Sequence, residues 1–585
     1  MLKILRNLAN SMNATVEYRL GANLDFIRSL VGHHREKIAL RMVSRDGFRD
    51  VSFQDLKEAA ETVADFFIGA GIEKDTRIAI LCENRPEWAI GFFGIISAAC
   101  VAVPIDSKLS IQEIIFILND SCAVCAVVSD ATAGIILSHR EKLPHLKLIL
   151  SVDDTRESSM VSVNRLLAQK SERKTRPGGG LDETAIIIYT SGTTGVSKGV
   201  ELNYRGLLYE VETLVRSIGI SENDSFVSVL PLSHMLEITG GLLSPLYAGS
   251  TVTYCGTLRA DVLMETIRKS SATMMISVPA VLKGFRNAIF RMAERQPIIK
   301  RKIFKGFFYL SRFLMRMGIR SGRFLFPQVH RKFGGRFWCF VSGGAPLDIG
   351  LEEDLEALGF CILQGYGLTE ASPVVSVNTP KKKKRGSVGT PLKGISVRIL
   401  KQSPSDGEGE IIITGPNIMK GYFNNPEATK GVLKNGWLHT GDIGYFDRGG
   451  FLHISGRIKN MIVLEDGRKV FPEELEHTLG RSPYIKEICA FGKKPLQKPA
   501  DKGEEVVAVI VPNLDMFSEN ERCDEMKIRE KISQEIAIFS QNLAGYKRIK
   551  NFILHFDELP KTATRKIKRS DVKRLAESII ARLEK

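Results

Sequence analysis

The sequence predicts an α/β protein with two domains. We expect a large N-terminal domain of layered mixed and parallel sheets with helices and a small β-barrel-like part, then a small mobile α+β domain. Three observations predict this class. The chain has 585 residues, more than one hydrophobic core usually supports. Apolar strands alternate with helical stretches over residues 35–280, as in a parallel sheet covered by helices. After Gly386 the pattern becomes rich in strands, and it changes again near Gly456.

The composition is that of an ordinary globular protein with a basic surface. Hydrophobic residues make up 44% of the chain, and the formal net charge is +16. Such a surplus attracts anionic partners, among them nucleotides, lipid headgroups and acidic carrier proteins. The nine cysteines are scattered and favour a reducing compartment, and the one C-x-x-C, Cys122 and Cys125, has no second pair or nearby histidine to complete a metal site. We expect a cytoplasmic protein, free or peripheral on the inner face of the membrane, with no nucleic-acid partner.

Hydrophobic periodicity defines the first elements. Residues 89–105 carry no charge, but glycine and serine interrupt them and Pro104 lies near their end. This stretch is too interrupted for a comfortable membrane span, so we expect a buried helix that leads to a strand. The other helices predicted here cover 53–70 and 111–119, and the strands cover 78–81, 126–128 and 148–151.

Residues 189–200, YTSGTTGVSKGV, are the most informative stretch. The apolar run 185–188 leads into them as a buried strand. Their three glycines let the backbone approach a polyanion, and Lys198 supplies a charge. The spacing differs from the Walker loop, in which Lys-Ser/Thr follows a glycine directly. The composition therefore predicts a phosphate-binding loop. The alternative is a solvated linker, which needs neither the lysine nor the strand.

The segment 283–336 interleaves basic residues with aromatic and aliphatic ones at spacings of three and four. This pattern is typical of a basic amphipathic helix. Two interpretations stay open. The segment contacts an anionic membrane surface, or it is a docking helix whose apolar face belongs to the core.

Eight motifs, in order along nearly the whole chain, resemble those of the adenylate-forming superfamily. That superfamily includes acyl-CoA synthetases, non-ribosomal peptide adenylation domains and luciferases. The segment 283–336 is similar to the corresponding stretch of long-chain fatty acyl synthetases. The resemblance implies that a carboxylate attacks the α-phosphate of ATP and releases pyrophosphate, and that a thiol then displaces AMP from the acyl-adenylate. The motifs cover 189–199, 230–235, 342–347, 364–370, 386–391, 437–442, 456–459 and 559–566.

The resemblance also implies which residues bind the nucleotide. Thr369 would hydrogen-bond to the α-phosphate, and Glu370 would hold Mg²⁺ together with Thr190. Asp442 would accept both ribose hydroxyls, with Arg457 beside it. The residues implied around the adenine ring are Gly344, Ala345, Pro346, Tyr366 and Gly367. The residues implied around the β- and γ-phosphates are Thr190, Ser191, Gly192, Thr193, Thr194, Gly195 and Lys198.

The remaining implied residues serve catalysis and domain movement. Lys566 would reach the acyl carboxylate and the α-phosphate during adenylation only. Lys459 would be the hinge between domains 1–457 and 458–585, which alternate between the two half-reactions. Gly467 would flank the pantetheine channel, and His234 would lie at the acyl entrance.

The residues taken alone leave other interpretations open. Asp442 fits a turn carboxylate, and Glu370 fits an acid favoured at a helix N-terminus. Lys566 lies among other basic residues and fits a solvated patch. His234 fits a structural histidine, and Gly467 fits an ordinary hairpin turn.

We expect an enzyme that activates a medium- or long-chain fatty acid with ATP and Mg²⁺ and transfers it to coenzyme A. The alternative acceptor is the phosphopantetheine of acyl carrier protein, because the basic run 381–385 would suit an acidic carrier. An alternative of another class is a relative that binds nucleotide or fatty acid without catalysis.

Overall fold

The computed structural model describes residues 34–44, 47–155, 157–168, 180–190, 197–401, 403, 407–466, 468–493, 503–541, 543–549, 551–562 and 566–583. The strands in those ranges are β1 Ile38–Ser44, β2 Gly47–Ser52, β3 Arg77–Leu81, β4 Val101–Pro104, β5 Cys125–Val128, β6 Leu148–Ser151, β7 Val161–Ser162, β8 Thr184–Thr190, β9 Lys198–Asn203, β10 Ser225–Ser228, β11 Thr251–Tyr254, β12 Met274–Ser277, β13 Cys339–Ser342, β14 Cys361–Gly367, β15 Val374–Val377, β16 Thr390–Pro391, β17 Ser396–Leu400, β18 Gly409–Thr414, β19 Gly421–Tyr422, β20 Leu433–Lys434, β21 Trp437–Phe446, β22 Leu452–Arg457, β23 Ile462–Val463, β24 Lys469–Val470, β25 Ile485–Lys493, β26 Glu505–Pro512 and β27 Asn551–Leu554.

The helices in the same ranges are α1 Phe53–Gly69, α2 Pro86–Ser97, α3 Ile111–Asp120, α4 Asp130–Leu137, α5 Val163–Ala168, α6 Tyr204–Ile218, α7 Ser244–Tyr247, α8 Ala260–Ser270, α9 Pro279–Glu294, α10 Ile298–Arg316, α11 Gly322–Leu325, α12 Pro327–Lys332, α13 Ile349–Ala357, α14 Pro426–Val432, α15 Pro472–Leu479, α16 Glu519–Arg522, α17 Glu525–Phe539 and α18 Arg569–Leu583. A π-helical segment covers Glu237–Leu243, and 3₁₀ turns cover Arg140–Lys142, Thr369–Ala371, Ile458–Asn460, Leu514–Met516 and Gly545–Lys547. No helix among the described residues is both long and apolar enough to cross a membrane.

Two large sheets share one design, a run of parallel strands with antiparallel strands added at the edges. One sheet has the order β16-β15-β14-β13-β12-β10-β11-β1-β2, and the run from β14 to β1 is parallel. The other has the order β19-β9-β8-β4-β3-β5-β6-β7, and the run from β8 to β7 is parallel. Helices between the parallel strands cover the sheet faces, as such connections require.

Local sequence signals explain several of the helix boundaries. Ser52 and Ser110 form capping boxes with Asp55 and Glu113, so α1 and α3 begin where their first orphan N–H groups find acceptors. Every residue of α2 is buried, and β4 follows it. The prediction of a buried helix that leads to a strand within 89–105 is therefore confirmed.

The hydrophobic cores of the chain divide between Leu452 and Ile462. The largest buried cluster, which joins the two large sheets, ends at Leu452. A separate cluster begins at Ile462 and packs on one face of the three-stranded sheet β25-β26-β27, and α18 covers the other face. The predicted α/β class with a large N-terminal and a smaller C-terminal domain is confirmed. The division at 457/458 stays a prediction.

The predicted β-barrel-like part and the predicted amphipathic helix in 283–336 differ from their expected shapes. The β-barrel-like part is a five-stranded antiparallel sheet, β17-β18-β21-β20 with β22 on β21. The segment 283–336 is not one amphipathic helix, because Pro297 and Gly318 interrupt it and α9, α10, α11 and α12 share it.

A cluster of buried phenylalanines at the nine-stranded sheet offers a test of how the N-terminal core is packed. Phe340 is fully buried, and its ring lies 4.6 Å from Phe337 and 5.4 Å from Phe285 between centroids. We expect Phe340→Ala to destabilise the protein by about 3–5 kcal/mol, because it removes a buried ring and leaves a cavity. Thermal denaturation measures the loss. The matched control Phe324→Ala removes a ring that is 86% exposed and should leave the melting temperature nearly unchanged. Equal effects of the two changes would contradict the assigned packing.

Candidate functional site

The predicted phosphate loop closes an antiparallel hairpin. Strands β8 and β9 pair so that Thr190 lies opposite Lys198, which brings the two ends of the loop together. Ser191, Gly192, Thr193, Thr194 and Gly195 lie outside the described residues. The ammonium nitrogen of Lys198 lies 5.2 Å from the centre of the Tyr422 ring.

The predicted adenine contacts lie at the carboxyl ends of two neighbouring parallel strands. Ser342 at the end of β13 pairs with Gln364 on β14. Gly344, Ala345 and Pro346 follow Ser342 and therefore lie at the same edge of the sheet as the last residues of β14. Ligands bind at this edge of an open α/β sheet. Gly344 has a φ of 79°, a left-handed conformation that favours glycine.

Gly367 is required by a close backbone contact. A Cβ atom at this position would lie 1.8 Å from the carbonyl oxygen of Pro373. The following residues, Thr369 and Glu370, form a 3₁₀ turn at the same edge of the sheet. Glycine therefore allows the chain to fold back so that the turn lies next to β14 and β15.

Asp442 is the electrostatic centre of the site. It is 3% exposed, and its two carboxylate oxygens accept hydrogen bonds from different partners. The Tyr366 hydroxyl donates to Oδ2 at 2.7 Å, and Nε of Arg457 donates to Oδ1 at 2.6 Å. Asp442 and Arg457 face each other across β21 and β22. Desolvation and the Asp442 charge raise the pKa of Tyr366, so this phenol stays a donor at neutral pH.

Glu370 has chemistry that suits a magnesium ion. The Tyr422 hydroxyl donates to its Oε1 at 2.8 Å, and a carboxylate has about four acceptor sites, so capacity for a cation remains. Within the described ranges, no cluster of three or more His, Cys, Asp or Glu side chains could hold a metal. Mg²⁺ is usually held by one or two carboxylates together with substrate phosphates, so the residues present fit this ion.

His234 lies beside a buried acid that sequence reasoning missed. Its Nε2 is 3.7 Å from Oδ2 of Asp106, which is 8% exposed. Burial opposes ionisation, but His234 and the backbone N–H of Lys108 hold the pKa of Asp106 below its ordinary value. The histidine therefore has a fixed anionic neighbour, unlike a solvated surface residue.

Lys566 lies in the electrostatic field of the Asp442 site although it belongs to the C-terminal domain. Desolvation lowers the pKa of Lys566, Arg457 lowers it further and Asp442 raises it. Two carboxylates of the C-terminal domain bind basic residues on either side of Lys566. Glu487 accepts from Lys561 at 2.5 Å, and Glu476 accepts two hydrogen bonds from Arg569 at 2.5 and 2.9 Å.

Of the predicted hinge and channel residues, the structure describes the hinge residue. Lys459 lies in the 3₁₀ turn Ile458–Asn460, directly after Arg457. Gly467 lies outside the described residues. The structure thus brings Tyr366, Asp442 and Arg457 into contact, places Glu370 near Lys198 through Tyr422, and brings Lys566 within their field. The binding roles of these residues stay predictions.

Comparisons with known proteins identify the family of this chain. Residues 28–423 match the family model described as AMP-binding enzyme, and residues 474–566 match its C-terminal domain model. The chain belongs to the AMP-binding enzyme family. It is therefore a ligase of the adenylate-forming superfamily, and the predicted superfamily resemblance is confirmed.

The similar proteins are named as ligases of different acids. The chain is 31% identical to the oxalate–CoA ligase of Arabidopsis thaliana, over 90% of this chain and 94% of the relative. It is 27% identical to the human long-chain-fatty-acid–CoA ligase 1, over 89% and 80%. An anthranilate CoA ligase crystallised with anthranoyl-AMP has the same fold, with a TM-score of 0.80, 23% identity and coverage of 96% and 98%.

The Asp442 site generates a prediction on nucleotide affinity. We expect Asp442→Asn to weaken AMP binding about 10- to 100-fold, because hydrogen bonds to a charged acceptor are among the strongest in proteins and Arg457 loses its partner. Isothermal titration calorimetry measures the change. The control is Asp447→Asn, which removes a carboxylate that pairs with Lys384 and His453 in the small sheet. AMP affinity that fell equally in both variants would exclude a specific role of Asp442.

Proposed function

We propose that this protein activates a medium- or long-chain fatty acid with ATP and Mg²⁺, releases pyrophosphate, and transfers the acyl group to coenzyme A. One observation carries the proposal. A lysine of the C-terminal domain, Lys566, lies in the field of the buried Asp442 and Arg457 of the N-terminal domain. This arrangement suits adenylation, in which a carboxylate and an α-phosphate, both anionic, must meet.

The residues of the chain have separate tasks in this reaction. Asp442 would accept the ribose hydroxyls, and Tyr366, held by its hydrogen bond to Asp442, would orient the base. Lys198 would neutralise charge on the β- and γ-phosphates, and Lys566 would do so on the acyl carboxylate and the α-phosphate. Glu370 would hold Mg²⁺, which when bound neutralises and orients the phosphate oxygens.

The surroundings of His234 favour an uncharged acyl chain. Residues 237–243 are buried throughout. Leu236 packs closely against Gly343, since a Cβ atom added to Gly343 would lie 3.0 Å from the Leu236 side chain. The one acid in this π-helical segment is Glu237. Burial raises its pKa to about 8, so it is mostly neutral at pH 7 and offers no charge to a substrate amine. This supports a fatty acid over an amino acid.

Coenzyme A is favoured over an acyl carrier protein because the basic run 381–385 is already engaged. Lys383 and Arg385 pair with Glu356, Lys384 pairs with Asp447 at 2.6 Å, and Lys382 lies over the Phe451 ring. Cations bound to their own chain offer little to an acidic carrier, so the run is a poor docking surface.

We further propose that helix α10 attaches the protein to an anionic membrane. Of its 19 residues only Phe308 and Ser311 are buried. Ser311 donates to the carbonyl of Ala357 at 2.7 Å, which docks one side of the helix on α13. The apolar side chains left exposed on or just after the helix are Ile298, Ile299, Ile303, Phe307, Tyr309, Leu310, Phe313 and Met317.

Charge supports a lipid partner for this surface. Residues 295–336 contain twelve lysines and arginines and no acidic residue. A basic amphipathic helix with exposed aromatic side chains lies in the interface of anionic bilayers, where long-chain fatty acids also partition. Helix α10 would then lie where the fatty acid substrate concentrates.

The ligase proposal is tested by separating the two half-reactions. We expect Lys566→Ala to slow pyrophosphate release from ATP and hexadecanoate by about 10²- to 10³-fold. Transfer to coenzyme A from supplied acyl-adenylate should keep its rate, because Lys566 serves adenylation only. The control is Lys568→Ala, two residues away. Because the pKa of Lys566 is lowered, the lysine loses its positive charge earlier as the pH rises, so wild-type adenylation should decline with rising pH before the ordinary lysine pKa of about 10.4 is reached. Unchanged pyrophosphate release in Lys566→Ala would refute the assignment.

The membrane proposal is tested by sedimentation with vesicles that contain phosphatidylglycerol. We expect Phe313→Asp with Met317→Asp to abolish most binding, and Lys300→Gln with Lys302→Gln to weaken it about tenfold. The control Met526→Asp alters an apolar side chain that is 82% exposed in the C-terminal domain. Vesicle binding that survives both double substitutions would rule out α10 as the contact.

A further inference from the structure

Tyr422 connects two residues that lie at the ends of strands from different sheets. Its hydroxyl donates to Oε1 of Glu370 at 2.8 Å, and its ring lies 5.2 Å from the ammonium nitrogen of Lys198. Glu370 follows β14 of the nine-stranded sheet, whereas Lys198 begins β9 of the eight-stranded sheet. One side chain thus touches both the predicted metal carboxylate and the predicted phosphate lysine.

The backbone holds this tyrosine in place from both sides. Strand β19 pairs with β9, with Tyr422 opposite Val200, and the N–H of Phe423 donates to the carbonyl of Gly199 at 2.7 Å. On the other side, the N–H of Met419 donates to the carbonyl of Glu370 at 2.9 Å. The segment 419–423 therefore fixes the spacing between the two sheets where the phosphates are expected.

The chemistry of the two groups sets the direction of this hydrogen bond. A carboxylate can only accept, so the Tyr422 hydroxyl donates to Oε1 of Glu370. This donor orients the carboxylate and leaves its other lone pairs to a cation. The ring face attracts the Lys198 ammonium through its quadrupole, and a triphosphate attracts that ammonium far more strongly.

We propose that Tyr422 is a positioning residue that aligns Glu370 and Lys198 for a magnesium-bound triphosphate, without touching the reacting atoms itself. The inference rests on the proposed function, because it assigns the metal and the phosphates to these two side chains. Residues that orient metal ligands from behind commonly contribute about 10- to 100-fold to metal affinity or activity.

The test measures binding by calorimetry, with ATP titrated in the presence of Mg²⁺ and in the presence of a chelator. We expect Tyr422→Phe to keep ATP affinity without metal, because the ring under Lys198 remains. The gain in affinity that Mg²⁺ gives should fall about tenfold, because the carboxylate loses its orienting donor. Tyr422→Leu should weaken ATP binding in both conditions, because it removes the ring as well. The control Tyr445→Phe removes a phenol from the small sheet, where the ring stacks on His453.

A double-mutant cycle with Glu370→Gln separates positioning from general destabilisation. If Tyr422 acts through Glu370, Tyr422→Phe should have almost no further effect on the Mg²⁺ gain in the Glu370→Gln background. Additive losses, or a Mg²⁺ gain in Tyr422→Phe equal to that of the wild type, would overturn the inference. The cycle decides even if Tyr422→Phe lowers the melting temperature. Wild-type protein that binds no ATP in either condition would instead refute the proposed function.

Discussion

A buried carboxylate, Asp442, joins the three parts of the chain that form the candidate site. Tyr366 comes from the nine-stranded sheet, Arg457 from the end of the small sheet, and Lys566 from the C-terminal domain. A buried charge is tolerated only where each oxygen has partners, because an unpaired one costs several kcal/mol. The position of Asp442 therefore constrains the strand ends, and the geometry of the candidate site follows from this requirement.

The sequence predicts those features whose cause is local or carried by a motif. The buried helix before β4 follows from an uncharged apolar run, and the buried strand before the phosphate loop follows from the apolar residues 185–188. Contacts between distant segments could not be predicted. Asp106 precedes His234 by more than a hundred residues, and no local pattern marks Tyr422 as a partner of Glu370. Only the folded sheets bring such pairs together.

The distribution of charge shows the same limit. The sequence contains two conspicuous basic regions, and by composition alone both fit an anionic partner. In the folded chain three cations of the run 381–385 pair with Glu356 and Asp447. Of the twelve cations in residues 295–336, only Arg312 pairs with acids among the described residues, namely Glu353 and Asp354. Net charge alone therefore says little about a binding surface. What matters is whether the cations already have partners within the fold.

The anchoring of Lys566 bears on how the two domains could alternate. Glu487 binds Lys561 before it and Glu476 binds Arg569 after it, and both acids belong to the C-terminal domain. Residues on both sides of the lysine are therefore tied to the C-terminal domain. The predicted alternation would then rotate about the 3₁₀ turn Ile458–Asn460, which begins directly after Arg457. Because Arg457 is held by Asp442, the predicted pivot adjoins the candidate site, and such a rotation would exchange Lys566 for another surface while Asp442 and Arg457 stay paired.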